Sequence, residues 1–218
     1  NIGCTKSDDI YLLQRSNMLA EQLERRGIQD QVVLDAMLEI KRHEFVPHNL
    51  QRLAYSDRPL PIGYDQTISQ PYIVAYMTQN LDVKNHHNVL EIGTGSGYQA
   101  AVLSNIVNHV YTIEIIKPLA VKAKEVFEKN NYDNITVKIG NGYIGWEEKA
   151  PFDRIIVTAA PEKIPEKLVD QLKNGGKMII PFGKTSSSQY LWIVSKDMNG
   201  NVEKKKILPV RFVPMVFE

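Results

Sequence analysis

The sequence predicts an α/β protein: a doubly wound, mostly parallel sheet of seven strands, closed by an antiparallel C-terminal strand pair and preceded by a helical N-terminal extension. Three observations predict it. From residue 88 onward, short apolar runs alternate with helix-period segments, as in a parallel sheet covered on both faces. One strand–helix junction, "LEIGTGSGYQAAVL" (Leu90 to Leu103), carries three closely spaced glycines. Near the end, "QYLWIVSKD" and "VEKKKILPVRFVP" flank "MNGN", and Asn199-Gly200 is a strong hairpin signal.

Taken in order, residues 8–27 read as a helix that Ser7, Asp8 or Asp9 can cap, with Leu12, Leu19 and Leu23 on one face and Gly27 as its stop. Asp30 caps a second helix whose stripe is Val33, Ala36, Met37 and Ile40, and "RHEFVP" (Arg42 to Pro47) ends it. Residues 48–70 read as loop, with Pro59, Pro61 and Gly63. Pro71 suits the first position of a helix running to about Leu81. Strands are expected at 88–92, 109–115, 135–139, 153–157 and 177–182, and helices at 97–106, 118–131 and 162–173. Gly175-Gly176 suits a helix stop, and "SSS" (Ser186 to Ser188) a loop.

Composition narrows the classes of function. The chain has 218 residues, enough for one large domain burying roughly 70% of its extended surface. We expect a single domain over 1–218, with 1–82 forming the N-terminal helices and a ligand loop and 83–218 the sheet core and C-terminal strands. A net charge of +1 does not indicate a nucleic-acid footprint, and Lys204 to Lys206 read as a solvated strand face. No apolar run approaches the ~20 residues of a membrane span. One cysteine, Cys4, permits no intrachain disulfide and is compatible with a reducing compartment. The chain starts at Asn1 rather than Met, which leaves a removed targeting segment open. His43, His48, His86, His87 and His109 are scattered without a carboxylate or Cys at ligand spacing, so no metal site is expected.

The glycine loop follows the apolar run "NVLEI" and opens a helix, the context a cofactor loop needs. Glu114 ends the next strand 21 positions after Gly93, where an acid can accept both hydroxyls of a ribose. A dinucleotide pattern would need glycine at 98, and Tyr98 stands there. The spacing is G-x-G-x-G, with Glu91 before it. That pattern resembles motif I of class I S-adenosylmethionine-dependent methyltransferases, which share a Rossmann-like sheet. Their cofactor carries no phosphate but an ammonium, a carboxylate and a sulfonium. Backbone N–H groups of Gly93, Thr94, Gly95, Ser96 and Gly97 can meet the carboxylate, and Glu91 the cationic end, directly or through water. The other reading is a glycine turn that only packs. After the third strand, "IGNGYIGW" has Asn141 and Gly142 where the class usually has an acid accepting from the adenine amino group. An amide oxygen still accepts, without the charge-assisted component, so weaker cofactor binding is expected; the alternative is a turn residue. Tyr143 and Trp146 read equally as adenine neighbours and as loop packing.

Three further segments, "RPLPIGYDQTISQPYIVAYM" (Arg58 to Met77), "FDRIIVTAAPEKIPEKLVDQLKNGGKMIIPFG" (Phe152 to Gly183) and "PVRFVPM" (Pro209 to Met215), together closely resemble protein-L-isoaspartate O-methyltransferases. The resemblance runs from "RGI" near residue 27 to the C-terminus. It implies a cytoplasmic repair enzyme, expected to be a monomer. Such enzymes methylate the free α-carboxylate of L-isoaspartyl residues in aged proteins and peptides with S-adenosyl-L-methionine, and neither nucleic acid nor membrane is a partner. It also implies a class I sheet with its last two strands exchanged in order. The family's active-site serine matches Ser69. Gln66, Thr67 and Ile68 fall in a segment lining cofactor and substrate, Thr158 joins the cofactor set, and Arg211, Phe212, Val213 and Pro214 match the segment that holds the substrate backbone. Prolines 209 and 214 suit an edge where a peptide pairs strand-like. For Ser69 the alternative is a helix cap before Pro71, and for Arg211 a plain surface charge. Asn141 departs from the family's "GDG". Other readings to separate are a small-molecule or RNA methyltransferase, an NAD-dependent oxidoreductase and a non-catalytic adaptor.

Overall fold

An almost unbroken helical run opens the chain in the computed structural model, which describes residues 3–183 and 189–217, with side chains from Ile10 onward. Helix α1 (Gly3–Asn17) begins ahead of the Ser7–Asp9 positions expected to cap it. It continues as a π-helical turn, Met18–Leu23, and a 3₁₀ turn, Glu24–Arg26, ending at Gly27 with φ 90°. The wide turn rotates the apolar face. Met18 and Leu23 are buried, whereas Leu12 is 49% exposed, so the stripe anticipated through Leu12, Leu19 and Leu23 does not persist. Helix α2 (Gln31–Glu39) is capped as expected: Asp30 Oδ1 accepts from Val32 N at 3.0 Å. Its stripe is buried, with Leu34 added.

Residues 48–70 are not plain loop. A 3₁₀ turn (His48–Leu53) leads to a small hairpin, β1 (Leu60–Gly63) with β2 (Gln66–Ile68). Leu60 and Ile62 face inward while Pro61 and Gly63 face out. Positive φ at Gly63, Tyr64 and Asp65 turns the chain. The proline and glycine that suggested loop instead shape the edge and turn of this ribbon. Helix α3 (Pro71–Leu81) starts at its proline, as expected.

The main sheet has the order β5-β4-β3-β6-β7-β8-β9, from β3 (Asn88–Ile92), β4 (His109–Glu114), β5 (Ile135–Ile139), β6 (Phe152–Val157), β7 (Leu172–Phe182), β8 (Gln189–Lys196) and β9 (Val202–Val210). The first five positions are parallel, and β8 runs antiparallel to both neighbours. The last two strands thus follow in sequence order. Helices α4 (Tyr98–Ser104) and α5 (Lys117–Lys129) connect the strands on one side. The chain steps outward from β3 to β5 and returns to β6 on β3's other edge. The carboxyl ends of β3 and β6 therefore form the switch point where such sheets bind ligands.

Two elements differ from expectation. The helix at 162–173 shrinks to α6 (Glu166–Asp170) behind Pro165. The chain ahead of it is tied to the C-terminal segment at Ala160 and then bends: Ala160 N donates to Val213 O at 2.8 Å, and Met215 N to Ala160 O at 2.9 Å. Gly175-Gly176 sits inside β7, where the register against β6 jumps from Leu172 to Lys177. A side chain at 176 would meet Lys173 O at 2.6 Å, so glycine serves a bulge and not a helix stop. At the Asn199-Gly200 hairpin, Asp197 Oδ1 accepts from Asn199 N and Asn201 N, both at 2.8 Å. Lys204 to Lys206 are exposed on the edge strand β9. Ser186 to Ser188 lie outside the described residues.

Candidate active site

Buried strand β3 delivers the glycine loop to the switch point. Gly93, Gly95 and Gly97 all take positive φ (93°, 52° and 88°), which L side chains resist. A Cβ at Gly93 would lie 2.6 Å from Thr158 Oγ1, which itself donates to Gly93 O at 2.6 Å. The ends of β3 and β6 are thus stitched together. Gly97 caps α4, and Phe127 leaves no room for a side chain there. Tyr98 then turns into the core at 1% exposure, its ring edge-on to Phe45 and its hydroxyl at Met37 Sδ. At the end of β4, Glu114 accepts from Gly95 N at 2.7 Å and Ile116 N at 2.9 Å. Its carboxylate both fixes the loop and faces the cleft in front of it.

That cleft is a concave space at the switch point, open to solvent on one side. Of the expected cofactor residues, Gln66, Thr67, Ile68, Gly93, Thr94, Gly95, Ser96, Glu114, Gly142 and Thr158 line it; Ser69, Val213 and Pro214 do too. Among its described lining residues the one charged side chain is Glu114. A broader groove opens beside it, lined by Arg26, Tyr72, Arg211 and Phe212. Thr67, Ser69, Thr158 and Val213 line both, so the two spaces meet there.

Ser69 stands at this junction. The N-cap of α3 is Gln70, with no side-chain cap bond, so the capping role open to Ser69 is not used. Among the described residues no hydrogen bond engages its hydroxyl. Its carbonyl accepts from the buried Arg42 guanidinium at 2.7 Å. The "VRFVP" segment is pinned: Phe212 N donates to Gln189 Oε1 at 2.6 Å, and Val213 O is taken by Ala160. It is therefore not the free edge expected from its prolines, at least on the Ala160 side. Arg211 is exposed at the groove.

Three expected cofactor residues sit elsewhere. Glu91 is fully buried behind the loop and does not line the cleft. Its Oε2 accepts from Thr112 Oγ1 at 2.5 Å, and Thr112 contacts Thr94 Oγ1 at 2.6 Å, while Oε1 has no partner among the described residues. Burial pushes this carboxyl up to about 8. A direct contact with a cationic ligand is thereby replaced, at most, by one through hydroxyls. Gly97 serves the helix cap. Asn141 also faces away: its Oδ1 accepts from Tyr143 N at 2.9 Å and its Nδ2 donates to Phe217 O at 3.2 Å, the turn role left open by its sequence. Tyr143 packs on Phe217 and donates to Met215 O, and Trp146 packs edge-on to Tyr111, so both do loop and core packing. Sequence reasoning missed Arg42, Arg26 and Tyr72. The motif "RHEFVP" signalled only the end of a helix. Among the described residues no group of three or more His, Cys, Asp or Glu is placed to hold a metal.

Comparisons with known proteins agree with this geometry. The family model for protein-L-isoaspartate(D-aspartate) O-methyltransferase matches residues 14–218. A protein-L-isoaspartate O-methyltransferase of Opitutus terrae is 52% identical over 94% of this chain and 88% of its own. One of Gloeobacter violaceus is 51% identical over 92% and 98%. A solved protein-L-isoaspartate O-methyltransferase superposes with TM-score 0.82 at 30% identity, covering 92% of this chain and 65% of that one. A Plasmodium falciparum structure, described as such an enzyme in complex with S-adenosyl-L-homocysteine, gives 0.81 at 29% identity, covering 94% and 99%. With the sheet order, the glycine loop and the Ser69 junction in place, the chain belongs to the protein-L-isoaspartate O-methyltransferase family.

Proposed function

We propose that this chain methylates the free α-carboxylate of L-isoaspartyl residues in damaged proteins and peptides, starting their repair through a succinimide. The observation that carries this reading is the junction of two spaces at Ser69, one lined by the glycine loop and one broad enough for a peptide. The cleft suits S-adenosylmethionine chemically. Loop N–H groups offer donors to a carboxylate, Glu114 offers an acceptor for hydroxyls, and among the described residues no Lys or Arg lines it to favour a phosphate. Gly142 lines the cleft where the packing of its wall needs glycine, because a Cβ there would crowd Ile92 and Met215. When bound, S-adenosylmethionine supplies a methyl group on a positively charged sulfur.

The chain's own task is positioning. An isoaspartyl α-carboxyl titrates near 3.5, so it is ionised at neutral pH and needs no general base. The Ser69 hydroxyl orients one carboxylate oxygen toward the cleft. Good alignment supplies several kcal/mol, up to ~7–11 in the best cases. The bond from Ser69 is neutral, which matters because charge leaves the carboxylate in the transition state. Arg211 makes the groove rim cationic, suited to acidic neighbours of the damaged residue, while Arg26 is paired with Asp57 at 3.0 Å. We place the activity in one methyltransferase domain acting as a cytoplasmic monomer. A net charge of +1 supports a protein substrate over nucleic acid, and no helix among the described residues is long and apolar enough to cross a membrane.

Paired peptides, identical except for L-isoaspartate or L-aspartate, offered with methyl-labelled cofactor, test the reading. The expected result is a base-labile methyl ester on the isoaspartyl peptide alone. Equal labelling of both, or labelling of neither, overturns it.

A further inference from the structure

Beneath the Ser69 junction lies a cation that the reaction as described does not use. Arg42 is fully buried, at 0% exposure. Its Nε donates to Ala54 O and its Nη2 to Ser69 O, both at 2.7 Å. The guanidinium lies over the Tyr98 ring, 4.8 Å from its centroid. Its ionisable neighbours are the phenols of Tyr55 and Tyr98, which the buried Arg15 also faces, and among the described residues it forms no ion pair with a carboxylate. Burying a guanidinium without a counter-charge is costly, and a fold that only needed to fill this space would be served by an apolar side chain. The cation instead ends on the backbone of one residue, the serine at the junction.

That placement has two consequences. Ser69 lies between the end of β2 and the start of α3, where its carbonyl is used by neither ladder. Arg42 fixes this peptide from beneath, while Asp57 Oδ1 holds the next side chain, Gln70, at 2.7 Å. The backbone that carries the Ser69 hydroxyl is thereby held from both sides. The positive charge also sits within one residue's reach of that hydroxyl, in a medium that screens it poorly. An arriving carboxylate would be the counter-charge that the fold omits.

We propose that Arg42 is a positioning residue for the methyl-acceptor carboxylate: its fork fixes the Ser69 backbone, and its unpaired buried charge favours an anionic acceptor at the junction. This rests on the assignment of Ser69 as the carboxylate-holding group. The charge and the fork make separable contributions. R42Q removes both; R42K keeps the charge but cannot hold two carbonyls in the same plane.

The test is steady-state kinetics on an isoaspartyl peptide for R42Q, R42K, S69A and the R42K/S69A double variant, with calorimetric binding of S-adenosylhomocysteine to each. R42Q is expected to raise the peptide KM by about tenfold or more, while S-adenosylhomocysteine affinity stays within about twofold. R42K is expected to keep KM within about threefold and lower kcat by about tenfold. In the S69A background, R42K should then lower kcat by no more than about twofold, because its effect runs through Ser69. Equal losses in peptide KM and cofactor-product affinity, or full additivity of R42K with S69A, overturn the proposal. Should R42Q fail to fold, the R42K cycle decides alone. An S69A variant with wild-type kinetics instead removes the Ser69 assignment, a failure distinct from that of Arg42.

Discussion

Replacing Glu91 with glutamine should raise stability at alkaline pH, and the size of the effect follows from its surroundings. The carboxyl is fully buried, with one oxygen bonded to Thr112 and the other without a partner among the described residues. Burial, the largest influence, holds it at about 8 against an ordinary 4.5, with Glu114 adding a smaller upward push. The folded state therefore binds this proton more tightly than the unfolded chain does. Stability from the group is fully present below pH 4.5 and is lost as pH rises through about 8. At 1.36 kcal/mol per pH unit the whole loss is roughly 5 kcal/mol, of which about 3 kcal/mol is already gone at pH 7. E91Q carries no proton to lose and still accepts from Thr112. Urea unfolding of both proteins at intervals from about pH 5 to 9 reads the difference directly. The variant-minus-parent stability should climb by several kcal/mol across that range and level off above it. Parallel curves, offset or not, would refute the reasoning and mean that Glu91 is ionised in the fold.

Three further predictions concern other parts of the structure. His87 is buried, and its Nδ1 accepts from Lys84 N at 3.0 Å. Desolvation, then Arg154, lowers it to about 4, so its contribution is present above pH 6.5 and lost as pH falls toward 4; H87Q should flatten the acid limb of the unfolding profile. G142A puts a methyl against Ile92 and Met215, which should cost ~1–3 kcal/mol in thermal or urea unfolding and weaken S-adenosylhomocysteine binding in calorimetry. N141D loses the donor to Phe217 O and sets a carboxylate against that carbonyl. The expected outcome is faster carboxypeptidase trimming of the C-terminus with little change in S-adenosylhomocysteine affinity, whereas tighter binding would show that residue 141 reaches adenine.

Much of the scaffold was legible because its signals are local. The run "NVLEI" followed by G-x-G-x-G locates a strand, a positive-φ turn and a helix within 16 residues of chain. Pro71, Asp30 and Asn199-Gly200 each act on their immediate neighbours, and each does in the structure what its chemistry dictates. The site's floor was legible for the same reason, since Gly93, Gly95 and Glu114 are set by strand ends. The misreadings share an opposite cause. Leu12 lost its face to a π turn, residues 60–68 became a ribbon, and Gly175-Gly176 joined a strand, each because distant packing outweighed a local preference.

By itself, the sequence determined the sheet and the glycine loop, because periodicity and turn chemistry are properties of neighbouring residues, while its resemblance to the family singled out the segment that carries Ser69. Only the tertiary structure decided which polar side chains face the cleft. Glu91 and Asn141 carry the right groups beside the right loop, yet one is sealed behind Thr112 and the other is spent on a turn and the C-terminal tail. Arg42 carries no motif, yet it lies under Ser69, 27 positions away. Whether a polar group meets ligand, backbone or core depends on what packs around it, and that is settled by contacts between residues far apart in the chain.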